Sequence, residues 1–407
     1  MIKITLKKFL KPRSILISII VLTAFLRLFR IDYPSSYMFD EVYHAYTAKE
    51  YLKGNREAWS PWGKSEPGVA FEWLHPPISK EIMTASMFIL RTTDAWAWRL
   101  PSALLGILSV YLVYILGQLL FKNEATALIS AFIFSIDGLV FVQSRIGMND
   151  VYLVTFVLVS LFFFLKDKYL LSAVFLGISM ATKWPGIYLL GVYIILLFLR
   201  KKFVKILLFI IIPVMIYLVS YTPYFLQGYR IPDFIELHKQ IWWYQTNLQA
   251  THNYASPWWS WPLNLYPVWY FVDYKGDKIA NIFASGNPIV FLLGAGAVIL
   301  TIWEFLKKRT FSLGILLLGY FAFFLPWAAS PRIMFLYHYS PSVPFLSLML
   351  GYSLHKIYQR GDKKIFVFLM GLILLGFLFV FPFLTGIPIP KNLVEFFFLS
   401  NLTKNPF

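Results

Sequence analysis

The chain has 407 residues, 58% of them hydrophobic, 19% aromatic and only 14% charged. Long apolar runs recur over most of its length without strand-like alternation, which excludes an outer-membrane barrel and a water-soluble domain and leaves a polytopic helical membrane protein. Lys and Arg outnumber Asp and Glu by 37 to 20 and Cys is absent, so disulfides and Cys-built zinc sites are excluded, and the basic clusters read as cytoplasmic loops, not as a nucleic-acid surface.

The basic start followed by "SILISIIVLTAFL" predicts an uncleaved first span over 14–30, because no small-x-small cleavage site follows. Further spans are expected near 77–91, 99–121, 125–143, 149–166, 169–200, 203–222, 288–306, 311–329, 335–354 and 364–384. The run 169–200 is long for one crossing and carries Lys183 and Pro185 at its middle. It is read as a single broken crossing, because with "KKR" at 307–309 and "HKIYQRGDKK" inside, that count alone puts both long loops, 31–76 and 223–287, outside. The expectation is an all-α bundle of eleven spans, twelve being the alternative, with an external C-terminal tail. Three parts follow: 1–222 with an external catalytic loop 31–76, an external aromatic-rich loop 223–287, and the C-terminal helices and tail 288–407. Both loops are dense in Trp, Tyr and Pro, which suits the headgroup layer.

Within the first loop, "MFDEVYHAYTAKEYLKG" predicts an interfacial amphipathic helix from Asp40 to Lys53, closed by Gly54. Asp40 and Glu41 have two readings here, helix cap and dipole partner or chemistry. Arg27 and Arg30, one turn apart just before them, favour chemistry, since Arg at membrane depth is costly and needs a partner or a task. Arginine beside a carboxylate at headgroup depth suits a sugar carried on a lipid phosphate: the cation neutralises the leaving phosphate and the carboxylate accepts a proton from an attacking hydroxyl. No metal or other cofactor is expected.

Farther along, "FEWLHPPISK" carries His75, read either as helix-start punctuation or as part of a pocket. "WRLPSALLG" carries Arg99 and "QSRIGMNDVYL" carries Arg145 with Asp150, each a helix-end anchor, an ion pair or a functional group. Lys183 in "ATKWPG" lies inside an apolar run, where an unpaired charge is costly, and "PRIMFLYHYSPSVPF" adds Arg332, Tyr337 and His338. No Walker lysine or dinucleotide fingerprint occurs, which disfavours a nucleotide-sugar donor.

Taken in order, "RLFRIDYPSSYMFDEVYHAYTAKEYLKG", "HPPISK", "WRLPSALLG", "SRIGMNDVYLVTF", "ATKWPG", "SPWWSWPL", "SGNPIV" and "RIMFLYHYSPSVPF" resemble the motifs of protein O-mannosyltransferases, from about Arg27 to Pro344. The resemblance implies a GT-C type membrane glycosyltransferase with amphipathic juxtamembrane helices in its first external loop. It implies inverting, metal-independent transfer of mannose from a polyprenyl (dolichyl) phosphate to Ser or Thr hydroxyls of exported proteins, at the outer face of the cell membrane. Its acidic motif is matched by Asp40, the expected base, and by Glu41 as acceptor or support. Arg27 and Arg99 match its arginines; Arg145, Lys183 and Arg332 join them as expected contacts to the donor phosphate, with His75, Tyr337 and His338 in the acceptor pocket. The large β-trefoil domain of the eukaryotic members has no room between 223 and 287, so the chain looks more like the shorter prokaryotic form. Expected partners are the donor lipid, a Ser/Thr-containing polypeptide and membrane lipids. Another lipid-phosphate sugar, or a lipid or glycan acceptor, is the nearest alternative; a transporter or lipid flippase is weaker, because no inverted repeat is visible.

Overall fold

The computed structural model describes residues 11–248, 250–394 and 397. The basic residues ahead of Lys11 and, apart from Phe397, the expected external tail beyond Val394 lie outside the described residues.

Helix α1 (Pro12–Leu28) begins on a proline, whose missing N–H costs nothing at a helix start. Its inward face, Ile19, Thr23 and Arg27, repeats every four residues. Two short helices follow outside the bundle, α2 (His44–Leu52) and α3 (Ile78–Leu90). The long α4 (Ala95–Phe121) is succeeded by α5 (Glu124–Ser135), capped by the Asn123 side chain, and by the single turn and a half of α6 (Leu139–Gln143). Then come α7 (Asp150–Leu165), α8 (Tyr169–Met180), α9 (Ile187–Leu199), α10 (Phe203–Ser220) and α11 (Thr222–Leu226). Amphipathic α12 (Ile231–Asn247) buries Leu237 and Ile241 and exposes Trp242 and Trp243. The last four are α13 (Pro288–Lys308), α14 (Phe311–Phe324), α15 (Val343–Gln359) and α16 (Lys363–Thr385).

Among the described residues, five helical segments are long and apolar enough to cross a membrane, and α5, α7, α8 and the stretch Trp184–Leu199 are shorter apolar helices. On α10, Val204, Leu207, Ile211, Val214 and Leu218 are all exposed, so its outward face is apolar, as lipid requires. The protein is a multi-pass membrane protein.

Three expectations are corrected. The segment 77–91 is not a span. The Ile78 N–H bonds the Ala181 carbonyl, Thr84 bonds the Ala48 carbonyl of α2, and Ser86 bonds the Ala97 carbonyl just beyond. Two residues later Arg99 is back at the first loop, so α3 never carries the chain to the other end of the bundle. The run 169–200, in turn, is two antiparallel legs. Asp167, ahead of α8, pairs with Arg200 (3.3 Å) and Lys202 (3.7 Å), beyond the end of α9. The turn is made at Lys183, whose extended backbone (φ −156°, ψ 133°) interrupts the helical ladder just before Pro185, which has no N–H to continue it.

The chain is also not purely α-helical. Strands β1 (Val268–Lys275) and β2 (Lys278–Ala284) form an antiparallel hairpin, and β3 (Ile389–Pro390) pairs with Lys278 and Ile279 of β2. "VWYFVDYKGDKIANIFA" is rich in β-branched and aromatic residues around a two-residue turn, with Gly276 at φ +62° in the first turn position. Tyr270 of β1 stacks on Phe39 at 4.4 Å, which brings the hairpin beside the acidic motif.

Candidate active site

Phe39 sits at φ +46°, in the left-handed region where a side chain other than glycine is strained. Tyr270 on one side and the edge of Tyr337 (5.9 Å) on the other hold it there. The bend turns Asp40 and Glu41, at the centre of the 3₁₀ turn Phe39–Val42, in different directions.

Glu41 is fully buried. Its Oε1 accepts from Arg99 Nε (2.7 Å), Trp98 Nε1 (3.0 Å) and the Gly147 N–H (2.7 Å), and its Oε2 from Arg99 Nη2 (2.6 Å) and the Met38 N–H (3.1 Å). One carboxylate thus bolts the first loop, α4 and the loop 145–149 together. Gly147 is required there, since a Cβ would come within 2.8 Å of Trp98 Cδ1 and 3.3 Å of Glu41 Oε1. Glu41 is not among the residues lining the cavity described below.

Arg99 spends its remaining N–H groups on the carbonyls of Ile31 (3.1 Å), Pro34 (2.6 Å) and Ser36 (3.0 Å). A guanidinium has five N–H donors, and all five are occupied. Arg145 donates to the Leu26, Arg27 and Arg30 carbonyls at the C-terminal end of α1, where unpaired carbonyls favour a cation. Arg27 is fully buried, donates to the Ser135 carbonyl at 3.2 Å and lies over the Phe141 ring. Arg27, Arg99 and Arg145 thus do not line the cavity that Asp40 opens into; Arg99 and Arg145 bond the first loop and the end of α1, and Arg27 is buried on α1 itself. Asp150, which the sequence puts near Arg145, pairs instead with Lys183 at 2.9 Å.

Asp40 opens into a cavity of 650 Å³ whose walls include His44, Glu72, His75, Asn149, Lys183, Arg332, Tyr337 and His338. Six of the ten expected site residues are thus brought together: Asp40, His75, Lys183, Arg332, Tyr337 and His338. Burial pushes the Asp40 carboxyl up to about 7; Lys183 and Arg332 oppose the shift, while Asp150 and Glu72 add to it. His44 and His75 stack with ring centres 6.0 Å apart. Burial pushes His44 down to about 4 and His75 well below the ordinary histidine range, so both are neutral near pH 7. Glu72 is held by Lys80 at 2.7 Å, which also bonds the Glu72 and His75 carbonyls and so fixes this wall. The Arg332 guanidinium bonds Gln245 of α12 and lies near the Tyr244 ring.

A second, more apolar cavity of 610 Å³ adjoins the first and shares His75, Lys183, Arg332 and His338 with it. Its other walls include Tyr188, Val214, Leu218, Trp242 and Trp327, from α9, α10, α12 and the segment after α14. An oily trough meeting a polar chamber at a pair of cations suits an amphiphile with an anionic head.

Sequence reasoning missed His44, Glu72 and Asn149 as cavity walls. For Asn149 a signal exists, a polar amide beside Asp150 at the start of an apolar helix, but it reads equally as an ordinary helix cap.

The chain matches known proteins in sequence family and in fold. The sequence model of the family described as dolichyl-phosphate-mannose-protein mannosyltransferase matches residues 17–228, and that of the C-terminal four-transmembrane region of protein-O-mannosyltransferase matches 230–399. A polyprenol-phosphate-mannose–protein mannosyltransferase of Mycolicibacterium smegmatis is 23% identical over 93% of this chain and 90% of its own. Among solved structures, a chain of the S. cerevisiae protein O-mannosyltransferase Pmt1–Pmt2 complex bound to the sugar donor superposes with a TM-score of 0.81 at 15% identity, covering 95% of this chain and 92% of that one. ArnT from Cupriavidus metallidurans bound to undecaprenyl phosphate superposes with a TM-score of 0.61 at 17% identity, over 86% of this chain and 61% of that one.

Proposed function

Because the chain belongs to the dolichyl-phosphate-mannose-protein mannosyltransferase family, we infer that it transfers mannose from a polyprenyl phosphate to Ser or Thr hydroxyls of exported proteins. The observation that carries this reading is one cavity holding a half-buried carboxyl, Asp40, and two cations, Lys183 and Arg332, that also line an adjoining apolar trough.

The donor's polyprenyl chain lies in the trough and its phosphate between Lys183 and Arg332. The acceptor oxygen attacks the anomeric carbon as the bond from that carbon to the phosphate oxygen breaks. Asp40 takes the hydroxyl proton, and the cations stabilise the charge gathering on the departing phosphate. A single displacement from the face opposite the phosphate inverts the anomeric centre. The cations supply the charge stabilisation for which a metal ion would otherwise serve, so the reaction is metal-independent. Neutral His75 and His338, with Tyr337, shape the acceptor side without adding positive charge that would compete for the phosphate.

The topology we propose has eleven crossings: α1, α4, α5 with α6, α7, α8, α9, α10 with α11, α13, α14, α15 and α16. The basic pairs at 201–202, 307–308 and 363–364 then fall on one side, as the positive-inside rule asks. Asp40, Asn149, Lys183 and Arg332 fall on the other, so the active site faces outward from the cell membrane. The longer external segments become 31–94, 227–287 and the stretch after Thr385, within the three parts 1–222, 223–287 and 288–407.

The experiment is transfer of labelled mannose from polyprenyl phosphate mannose to a Ser/Thr peptide by the purified chain, with and without EDTA. Product in both arms is expected. Activity that only a lipid or glycan acceptor elicits would overturn the assignment of protein as acceptor.

A further inference from the structure

Asn149 stands at the N-cap position of α7, where an asparagine ordinarily turns its side-chain oxygen onto a helix N–H. Here it does not: the side chain makes no cap bond, and neither Oδ1 nor Nδ2 has a hydrogen-bond partner in the protein. The residue is 1% exposed and lines the Asp40 cavity. A buried amide with both ends unpaired carries a desolvation cost, which a structural role does not explain. Its neighbours are fixed on both sides: the Gly147 N–H is clamped by Glu41 at 2.7 Å, and Asp150 is tied to Lys183 at 2.9 Å. The residues on either side of it are therefore tied down, and the amide lines the same chamber as Asp40 and Lys183.

We propose that the Asn149 carboxamide is a specificity-determining contact that hydrogen-bonds hydroxyls of the donor's sugar. The inference rests on the transfer reading above. A carboxamide offers N–H donors and a carbonyl acceptor side by side, matching two neighbouring sugar hydroxyls, each of which can donate and accept. A sugar that differs in the configuration of one hydroxyl leaves one end of the buried amide unpaired, and such unpaired groups are a strong source of discrimination. The contact also explains how the site tells one hexose from its epimer when the phosphate and the lipid chain are the same.

The test uses the full chain with polyprenyl phosphate mannose, polyprenyl phosphate glucose and a Ser/Thr peptide. Asn149→Ala is expected to lower kcat/KM for the mannosyl donor by about tenfold to a hundredfold, to change that for the glucosyl donor far less, and so to compress the ratio between them. Asn149→Leu, close in volume and apolar, is expected to keep the unfolding temperature and the inhibition constant of sugar-free polyprenyl phosphate while losing the same donor preference. An equal fall for both donors, or a loss of stability and of phosphate binding in step, overturns the proposal. If the wild-type chain transfers mannose and Asn149→Ala does so equally well with an unchanged donor ratio, this contact fails and the transfer reading stands. If the wild-type chain transfers none, both fail.

Discussion

Asp40 and Glu41 are adjacent in the chain and point to different places: Glu41 is sealed against Arg99 by bonds of 2.7 and 2.6 Å, while Asp40 opens into the chamber with Lys183 and Arg332. One acidic motif is thus divided, one side chain holding the loop and the other facing the chamber.

That division predicts opposite stability effects. Glu41→Ala leaves the Arg99 guanidinium buried without its counter-charge and is expected to cost about 3–5 kcal/mol, read as a lower unfolding temperature in detergent. Asp40→Asn removes a carboxyl whose ionised form is disfavoured by burial, so its unfolding temperature is expected to equal or exceed that of the wild type.

The pH dependence follows from the same carboxyl. Burial pushes the Asp40 carboxyl up to about 7 in the folded protein, above its unfolded value of about 4, so the native state holds the extra proton between those values. Stability relative to Asp40→Asn is expected to decline as pH rises across that window and to level off above 7. Activity runs the other way, because a base must be ionised: kcat/KM is expected to climb about tenfold per pH unit below 7 and to flatten above it. Lys183 opposes the upward shift, so Lys183→Met is expected to move this limb to higher pH.

Gly147 provides a packing test. The Cβ of Gly147→Ala would meet Trp98 and the Glu41 carboxylate, and forcing that contact is expected to cost about 1–3 kcal/mol. The variant is expected to lower the unfolding temperature and to depress transfer with either donor, because the loop carrying Asn149 shifts with it.

The cations separate into two classes. Lys183→Met and Arg332→Gln are each expected to weaken competitive inhibition by polyprenyl phosphate about tenfold or more, since charge-assisted bonds to an anion contribute about 1.5–3 kcal/mol. Arg145→Gln removes donors from the end of α1 and is expected to lower the unfolding temperature while leaving that inhibition constant unchanged among folded molecules.

How much of this the sequence revealed varied with the physics that decides each feature. Hydropathy located the long spans, because burial in lipid acts on every residue of a segment. It failed at 77–91, where an apolar stretch of helical length packs on α2, held by bonds from Thr84 and Ser86 that periodicity cannot foresee. It failed at 169–200, since one kinked crossing and two short legs share the same composition, and the pairing of Asp167 with Arg200 is visible only in three dimensions. Charge alone likewise could not sort the arginines. Arg99 and Arg332 both sit beside apolar segments, yet Arg99 has every donor engaged by the protein and Arg332 lines the chamber.

The most direct measurement is single-turnover transfer of labelled mannose by purified Asp40→Asn, with its fold verified by an unfolding temperature no lower than that of the wild type. A loss of about a hundredfold to ten-thousandfold in the transfer rate, with polyprenyl phosphate still bound as tightly, is the predicted result. A folded Asp40→Asn protein that glycosylates the peptide at the wild-type rate would contradict it.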